Sequence, residues 1–296
     1  MDRKTLLARG VAVAAITIGF CIQSSITENR QQEAGVTESE IQQERPEQEV
    51  EREAEREVQP ETTADVSVKD SEIELVEAEE DLEKREIVEE TDLYVITFST
   101  EGGTIRSLKL KEHLEKNGKP VDMIFRGETD MDAFEVHFGR PDIEPIDAAF
   151  KYTQIGPDSY EFTRDFYAPA ENGGQGDIFT LKKQYVFKPR EYMFELRVTI
   201  ENSKNDYPNL NDQGIAYTLQ VGPQIGPEFE KLDGRRAFRK YVYYSDGKKK
   251  NLRMSRDGVS YLEERALWTG IAGKYFSIIV IPDATNYEIS FYQMAL

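Results

Sequence analysis

The chain is poor in the residues that carry covalent cross-links, metal binding or acid–base chemistry. Its 296 residues include one cysteine, Cys21, and two histidines, His113 and His137. A single cysteine excludes a disulfide framework as well as the paired spacings of zinc sites and thiol relays. The histidines do not have the spacing of metal ligands one helical turn apart, and we expect both at the surface or in turns. The sequence therefore predicts no catalytic residue, no metal site and no cofactor.

Positive charge and aromatic side chains are both scarce in residues 28–90. This segment has 24 acidic and 7 basic side chains, hence a net charge of −17 against −19 for the whole chain, and no aromatic residue. Such a composition cannot bury enough apolar surface to offset the entropy of ordering, so residues 28–90 are predicted to be a disordered acidic linker. Ser71 and Glu74 match a capping box, which predicts a transient helix over residues 71–90. Elsewhere the basic runs are short, and no basic stripe suited to a nucleic-acid partner is present.

The one long uncharged run covers residues 10–27, GVAVAAITIGFCIQSSIT. As a helix it would extend about 27 Å, close to the thickness of the hydrocarbon core of a bilayer. Basic residues precede the run and the acidic linker follows it, so the positive-inside rule places the N-terminus in the cytoplasm. We therefore expect residues 1–27 to be a single-pass membrane anchor, with everything after it outside the cytoplasm.

Processing of this anchor is disfavoured by the residues near its end. Signal cleavage needs small side chains three and one residues before the cut, and Ile22 and Gln23 stand at such positions. Lipidation of Cys21 is disfavoured because the preceding residue is the bulky Phe20. An uncleaved anchor is favoured over both alternatives.

Apolar and polar side chains alternate from Leu93 onward, as expected for strands. LYVITFSTEGGTIRSLKL, beginning at residue 93, predicts a hairpin that turns at two glycines. FTLKKQYVFKPREYMFELRVTIENS, beginning at residue 179, predicts a second hairpin that turns near Pro189. Phe179, Leu181, Tyr185 and Phe187 are expected to share one face of it. Further strands are predicted at residues 160–166, 215–221, 238–244, 276–281 and 287–292. No long amphipathic helix separates them, so residues 91–296 are predicted to form an all-β antiparallel sandwich.

Four aromatic residues near the C-terminal end are candidates for ligand or partner binding: Trp268, Tyr241, Tyr243 and Tyr244. Aromatic rings can stack against sugar or peptide groups. Aromatics at alternating spacing usually belong to a core, however, and that interpretation stays open.

Several segments in a fixed order resemble the periplasmic region of the YidC membrane-protein insertases, of the YidC/Oxa1/Alb3 family. They are an N-terminal anchor with a short basic start, a polar linker, TEGGTIRSLKL, the hairpin from residue 179, VGPQIGP and WTGIAGKYFSIIVIP. The last, residues 268–282, is the most specific. The resemblance covers the anchor and residues 91–296.

This resemblance implies a twisted super-β-sandwich similar to galactose mutarotases, located in the periplasm and anchored to the bacterial inner membrane. It also implies contacts with the SecD/SecF side of the secretion machinery and with nascent membrane proteins. The expected role is to support insertion and folding of inner-membrane proteins by binding partners, and not by enzymatic chemistry.

The chain departs from the family by lacking the five C-terminal transmembrane helices that perform insertion. It also stops before the last strands and the amphipathic helix that close the family's periplasmic domain. We expect it to be either a fragment of a longer protein or the product of a truncated gene, and insertase activity is not assigned to these residues. The alternative is a stand-alone, membrane-anchored module that binds carbohydrate or peptide. An epimerase-like enzyme is disfavoured because the histidines are not placed for sugar-ring opening.

Overall fold

The computed structural model describes residues 11–22, 73–77, 82–127, 129–170, 174–202, 215–223, 240–273, 275–284 and 286–292. Residues 28–72, most of the predicted linker, lie outside this set, as does the second half of VGPQIGP. All regular secondary structure in the described residues is β-strand, which confirms the predicted all-β class.

Ten strands form the largest sheet, and every pairing in it is antiparallel. The strands are β1 (Val11–Ile22), β2 (Glu74–Leu75), β8 (Lys151–Gly156), β9 (Ser159–Pro169), β10 (Gln175–Phe187), β11 (Met193–Asn202), β13 (Lys240–Ser245), β14 (Lys248–Leu252), β16 (Trp268–Ala272) and β17 (Phe276–Asp283). Their order in the sheet is β14–β13–β16–β17–β1–β11–β10–β9–β2, with β8 also paired to β9.

Three smaller antiparallel sheets accompany the ten-stranded sheet. Four strands in the order β3–β4–β5–β6 form one of them: β3 (Glu86–Glu90), β4 (Tyr94–Ser99), β5 (Thr104–Leu114) and β6 (Pro120–Asp122). Two further pairs are β7 (Glu135–His137) with β12 (Thr218–Gln220), and β15 (Val259–Tyr261) with β18 (Ser290–Tyr292).

The core lies between the ten-stranded sheet and the four-stranded sheet. Phe98 of β4 contacts Tyr160 and Tyr185 of the large sheet, with ring centroids 5.2 and 5.3 Å apart. Burial of such rings is the main stabilising contribution, because each removes a large apolar area from water. Both predicted hairpins are present, as β4–β5 and β10–β11. Their inward residues are buried as the alternation predicts: Phe179, Leu181, Tyr185, Phe187, Phe194, Leu196, Val198 and Ile200.

The folded chain begins earlier than residue 91. β2 pairs with β9, and β3 pairs with β4 over its whole length, although both lie in residues 28–90. The transient helix predicted for residues 71–90 is wrong where the structure describes it, because Glu74–Leu75 and Glu86–Glu90 are strands. An edge strand needs only alternate apolar residues, and Ile87 provides one that packs against the core. The alternation in β3 is short and lies in a strongly acidic stretch, so composition alone predicted a linker there.

The described part of the uncharged N-terminal run, Val11–Ile22, is also a strand. Val11–Ile22 pairs with β11 on one side and with β17 on the other, where we expected a membrane-spanning helix. Among the residues that the structure describes, none forms a helix long and apolar enough to cross a membrane. Apolar β-branched and small residues can satisfy their backbone hydrogen bonds either within a helix or between two strands, so composition alone does not decide.

Two glycines shape the turn between β4 and β5. Gly102 and Gly103 have φ angles of 63° and 58°, in the left-handed region. A Cβ atom on Gly103 would lie 2.7 Å from the Cβ of Phe162, and one on Gly102 would lie 2.7 Å from the carbonyl oxygen of Ile146. Both positions therefore require glycine, for conformation and for space.

Replacing Gly103 by alanine is expected to destabilise the fold more than the same change at Gly118. Gly118 also has a positive φ, 79°, but no atom lies within 4 Å of a Cβ there, so its substitution should cost only the backbone strain of about 1 kcal/mol. Gly103→Ala adds the collision with Phe162, and we expect it to cost about 2 kcal/mol more. Urea unfolding of both variants measures the difference, and equal losses would contradict the close packing of this turn.

Candidate functional site

The four predicted aromatic residues are divided between the two faces of the large sheet. Tyr244 is the register partner of Trp268 on β16 and of Lys249 on β14. Directly paired residues share a face, so these three side chains form a row across three strands. The rings of Tyr244 and Trp268 are nearly parallel, at 16°, with centroids 5.7 Å apart. Both are half-buried, as are Tyr241 and Tyr243, so the face of the strand, and not the degree of burial, distinguishes this pair from the other two rings.

Tyr241 and Tyr243 lie on the opposite, inward face. Tyr243 is paired with Thr269, whose other partner is the core residue Val280. Its hydroxyl donates to Glu264 at 3.0 Å. The ring of Tyr241 packs edge-on against Phe291, with centroids 5.1 Å apart. These two tyrosines are therefore packing residues and do not join Trp268 in one site.

Glu264 organises a small polar cluster on that inward side. It accepts hydrogen bonds from Lys250 at 2.6 Å and from the hydroxyl of Ser245 at 2.8 Å. Chiefly because Lys250 donates to the carboxylate, with Ser245 as the next contribution, the pKa of Glu264 is lowered to about 2. Each member has a partner within the cluster, which holds β13, β14 and the segment before β16 together.

Apolar side chains border the accessible pair. Leu267 is 61% exposed and Ile281 is 41% exposed. Ile281 directly follows Val280, the β17 partner of Thr269, so it lies on the outward face with Trp268. Leu267 directly precedes Trp268, at the start of β16. We call Tyr244, Leu267, Trp268 and Ile281 the outer aromatic patch. Exposed apolar groups gathered in this way are typical of interaction surfaces.

Lys183, at the centre of β10, is a charged residue at a core position of the strand, where the alternation predicts an apolar one. It lies on the inward face among Leu181, Tyr185 and other aromatics and has no exposed surface. Its Nζ donates to the carbonyl oxygens of Gly102 at 2.8 Å and Phe134 at 2.7 Å. The hydroxyl of Tyr185 donates to the carbonyl oxygen of Gly103 at 2.8 Å. Two side chains of one strand thus hold the glycine turn of the facing sheet.

Acidic groups surround the Lys183 ammonium without forming an ion pair with it. Burial lowers the pKa of Lys183 to about 7, opposed by attraction to Glu135 and Asp132. Burial also raises the pKa of Glu135, whose Oε1 accepts a hydrogen bond from the backbone N–H of Asp132 at 2.8 Å. Asp132 itself bonds Arg106 and Arg126, at 3.3 and 3.0 Å. The lysine is therefore held mainly by backbone carbonyls.

The expectation that both histidines lie at the surface or in turns is wrong for His137. It is 4% exposed and belongs to β7, where its Nδ1–H donates to the carbonyl oxygen of Ile143 at 2.6 Å. His113 lies on β5, half-buried between the rings of Tyr192 and Phe276. Within the described ranges, no group of three or more histidine, cysteine, aspartate or glutamate side chains is arranged to hold a metal ion.

A shallow pocket of about 260 Å³ opens elsewhere, beside the segment that leads into β3. Arg85, Lys151 and Tyr152 are among its lining residues, and none of the four predicted aromatics lines it. The outer aromatic patch, the buried Lys183 with its carbonyl acceptors, and this pocket are therefore three different places in the fold.

The sequence analysis did not predict that Lys183 is buried and donates to backbone carbonyl oxygens of the facing turn. Lys183 stands two residues from Leu181 and two from Tyr185, so a lysine at an inward position of an apolar strand was the available signal. A long, flexible side chain at such a position usually snorkels outward, and only the facing carbonyls reveal why this one does not.

Comparison with known proteins gives consistent matches. Residues 86–295 match the family model of the YidC periplasmic domain. The chain is 36% identical over 228 residues to the membrane protein insertase YidC of Treponema denticola, covering 74% of this chain and 39% of that protein. It is 32% identical over 240 residues to the protein of the same name from Treponema pallidum, covering 70% and 38%, and 26% identical over 211 residues to that of Chlorobium luteolum, covering 68% and 34%. The chain thus spans about two fifths or less of the length of these relatives.

Replacing Lys183 by methionine is expected to change how stability depends on pH. The folded protein holds this proton less tightly than the unfolded chain, whose lysine pKa is near 10.5. The cost of the buried charge is therefore fully present below pH 7 and declines as pH rises from about 7 toward 10.5. The difference in unfolding free energy between wild type and Lys183→Met should shift by on the order of 2 kcal/mol in favour of wild type between pH 6.5 and pH 9.

The neighbouring lysine provides the matched control. Lys182 lies on the opposite face and pairs with Glu201 at 3.3 Å. Urea unfolding of Lys182→Met should show the pH dependence of wild type. A Lys183→Met difference that is flat over this pH range would contradict the lowered pKa.

Proposed function

This chain belongs to the YidC periplasmic domain family, and on that basis we propose that it is the non-cytoplasmic part of a membrane-protein insertase. It supports insertion and folding of inner-membrane proteins by binding partners, without catalysing a reaction. The observation that carries the proposal is the family match over residues 86–295, the range that contains the sandwich from β3 onward. The galactose-mutarotase-like form of that sandwich stays a prediction.

The outer aromatic patch is the surface that we assign to partner binding. Tyrosine and tryptophan provide large contact areas at a low cost in side-chain entropy, and exposed leucine and isoleucine extend the apolar area. The partners are apolar segments of nascent membrane proteins and components of the Sec translocase on the SecD/SecF side. The same exposed rings are what favours the alternative function, a membrane-anchored module that binds carbohydrate or peptide.

The domain is placed in the periplasm by residues 1–27, acting as a single-pass anchor with its N-terminus in the cytoplasm. Support comes from the uncharged run of residues 10–27 and the basic residues before it. Val11–Ile22, within that run, forms β1, which is paired in the sheet. One segment cannot be a membrane-spanning helix and a sheet strand at once, so the anchored and paired states exclude each other.

A photoreactive residue at Leu267 should crosslink to a nascent membrane protein in cells. Val88 is the matched control, because it is also 61% exposed but lies on β3, an edge strand of the four-stranded sheet. We expect adducts from position 267 with an arrested chain that carries an apolar membrane segment, and few from position 88. Adducts from position 88 alone would move the binding surface away from the outer aromatic patch. Absence of adducts with nascent chains or Sec components from every exposed position tested would refute the proposed function.

A further inference from the structure

A lysine lies at the margin of the outer aromatic patch. Lys249 on β14 is the register partner of Tyr244, and Tyr244 is in turn the register partner of Trp268. Directly paired residues share a face of the sheet, with Cβ atoms about 5 Å apart. Lys249 is exposed, so its ammonium group lies on the same open face as the two rings. The row therefore ends in a cation on β14, directly beside the aromatic pair.

The charge of Lys249 is not neutralised by the part of the chain that the structure describes, since no hydrogen bond or ion pair joins it to another residue there. The next lysine, Lys250, projects from the opposite face and donates to Glu264 at 2.6 Å. Farther across the outward face, Arg197 bonds Glu195 at 2.8 Å. Those two cations have carboxylate partners within the protein, whereas Lys249 is available to a carboxylate of another molecule.

An acidic residue lies at the far margin of the patch. Asp283 follows Ile281 by two residues on β17, so it too lies on the outward face. β13 and β16 separate β17 from β14, and three spacings between neighbouring strands amount to about 14 Å. The patch thus has a cation at one margin, a carboxylate at the other and apolar groups between them. Opposite charges at opposite margins favour one orientation of a charged partner.

The proposed partner is a membrane-protein client, that is, a nascent protein with an apolar membrane segment. Basic flanks of such segments remain in the cytoplasm, so the flank that reaches a non-cytoplasmic domain is poor in lysine and arginine. Lys249 attracts such a flank where it contains aspartate or glutamate. A basic flank would instead be repelled, which is the unfavourable term that selectivity requires.

We propose that Lys249 and the outer aromatic patch together select client segments in which uncharged apolar residues adjoin an acidic flank. The acidic flank lies at Lys249, and the apolar residues lie across Trp268 and Ile281. This inference rests on the proposed function and names the class of segment that the patch takes. The rings and aliphatic side chains provide most of the contact area. The lysine provides the choice between flanks, because an exposed charge pair adds little affinity but distinguishes partners by the sign of their charge.

Photocrosslinking from position 267 of the full chain in cells tests this choice. The probe is a ribosome-arrested chain with an uncharged apolar segment of about 20 residues, whose flank remote from the ribosome has two glutamates, two glutamines or two lysines. We expect the adduct yield to fall in that order, by about two- to fivefold between the glutamate and lysine flanks. Lys249→Glu should reverse the order, since the patch would then attract the lysine flank and repel the glutamate flank.

Lys248→Glu is the matched control. Lys248 is also exposed and lies on the same strand, but it is the register partner of Ser245 and therefore projects from the opposite face. Lysine on an edge strand also discourages pairing with other chains, and β14 is an edge of the large sheet. Both substitutions change the edge strand and the net charge equally, so Lys248→Glu should keep the wild-type order of the three probes. A reversal in both variants would overturn the proposal, because it would show an effect of net charge alone.

The remaining outcomes separate this inference from the proposed function. Equal adducts with all three probes, or an unchanged order in Lys249→Glu, would refute selection by Lys249 and leave the proposed function standing. Adducts from position 267 with lipid, a Sec component or a second copy of this chain, in place of the probe, would overturn the inference as well. Silence at position 267 while other exposed positions capture the probe refutes the patch and this inference. Silence at every position refutes the proposed function too.

Discussion

The contact on which the sandwich most depends is the pairing of a buried ammonium group with backbone carbonyls of the facing sheet. Lys183 and Tyr185 project from one strand and satisfy the carbonyl oxygens of Gly102, Gly103 and Phe134. Burying a lysine without such acceptors would cost several kcal/mol. The acceptors are available because the turn takes left-handed conformations at both glycines, and the residue directly before β7, Phe134, takes one as well, with a φ of 69°. Turn conformation, sheet packing and the ionisation of one side chain are therefore coupled.

The groups that face the interior have partners there, and the surfaces available for binding lie elsewhere. The charged and aromatic groups between the sheets are engaged with one another, as Asp132 is with two arginines. The outer aromatic patch, at one end of the large sheet, is accessible. Its half-buried rings are bordered by the exposed apolar side chains of Leu267 and Ile281.

Much of this fold was predictable because β-structure is encoded at a period of two residues. The hairpins of β4–β5 and β10–β11, and the burial of their alternate apolar residues, follow from that pattern alone. The short strands β2 and β3 were missed because their few apolar residues lie in a strongly acidic stretch. Of the four candidate aromatics, Tyr244 and Trp268 share the outward face, whereas Tyr241 and Tyr243 face inward. One-residue offsets along a strand decide this, and sequence does not show which face meets the other sheet.

The sequence by itself determined the all-β class, the positions of the main turns, the family resemblance and the division into an uncharged run, an acidic segment and a strand-rich block. These depend on composition and on neighbours within a few residues. Only the tertiary structure decided that Lys183 is inside, that His137 is buried, that the four aromatics are separated and that residues 11–22 can complete a sheet. Each of these outcomes depends on partners distant in sequence, since a buried polar group is tolerated, and an apolar segment becomes a strand, only where the facing chain supplies the matching hydrogen-bonding groups.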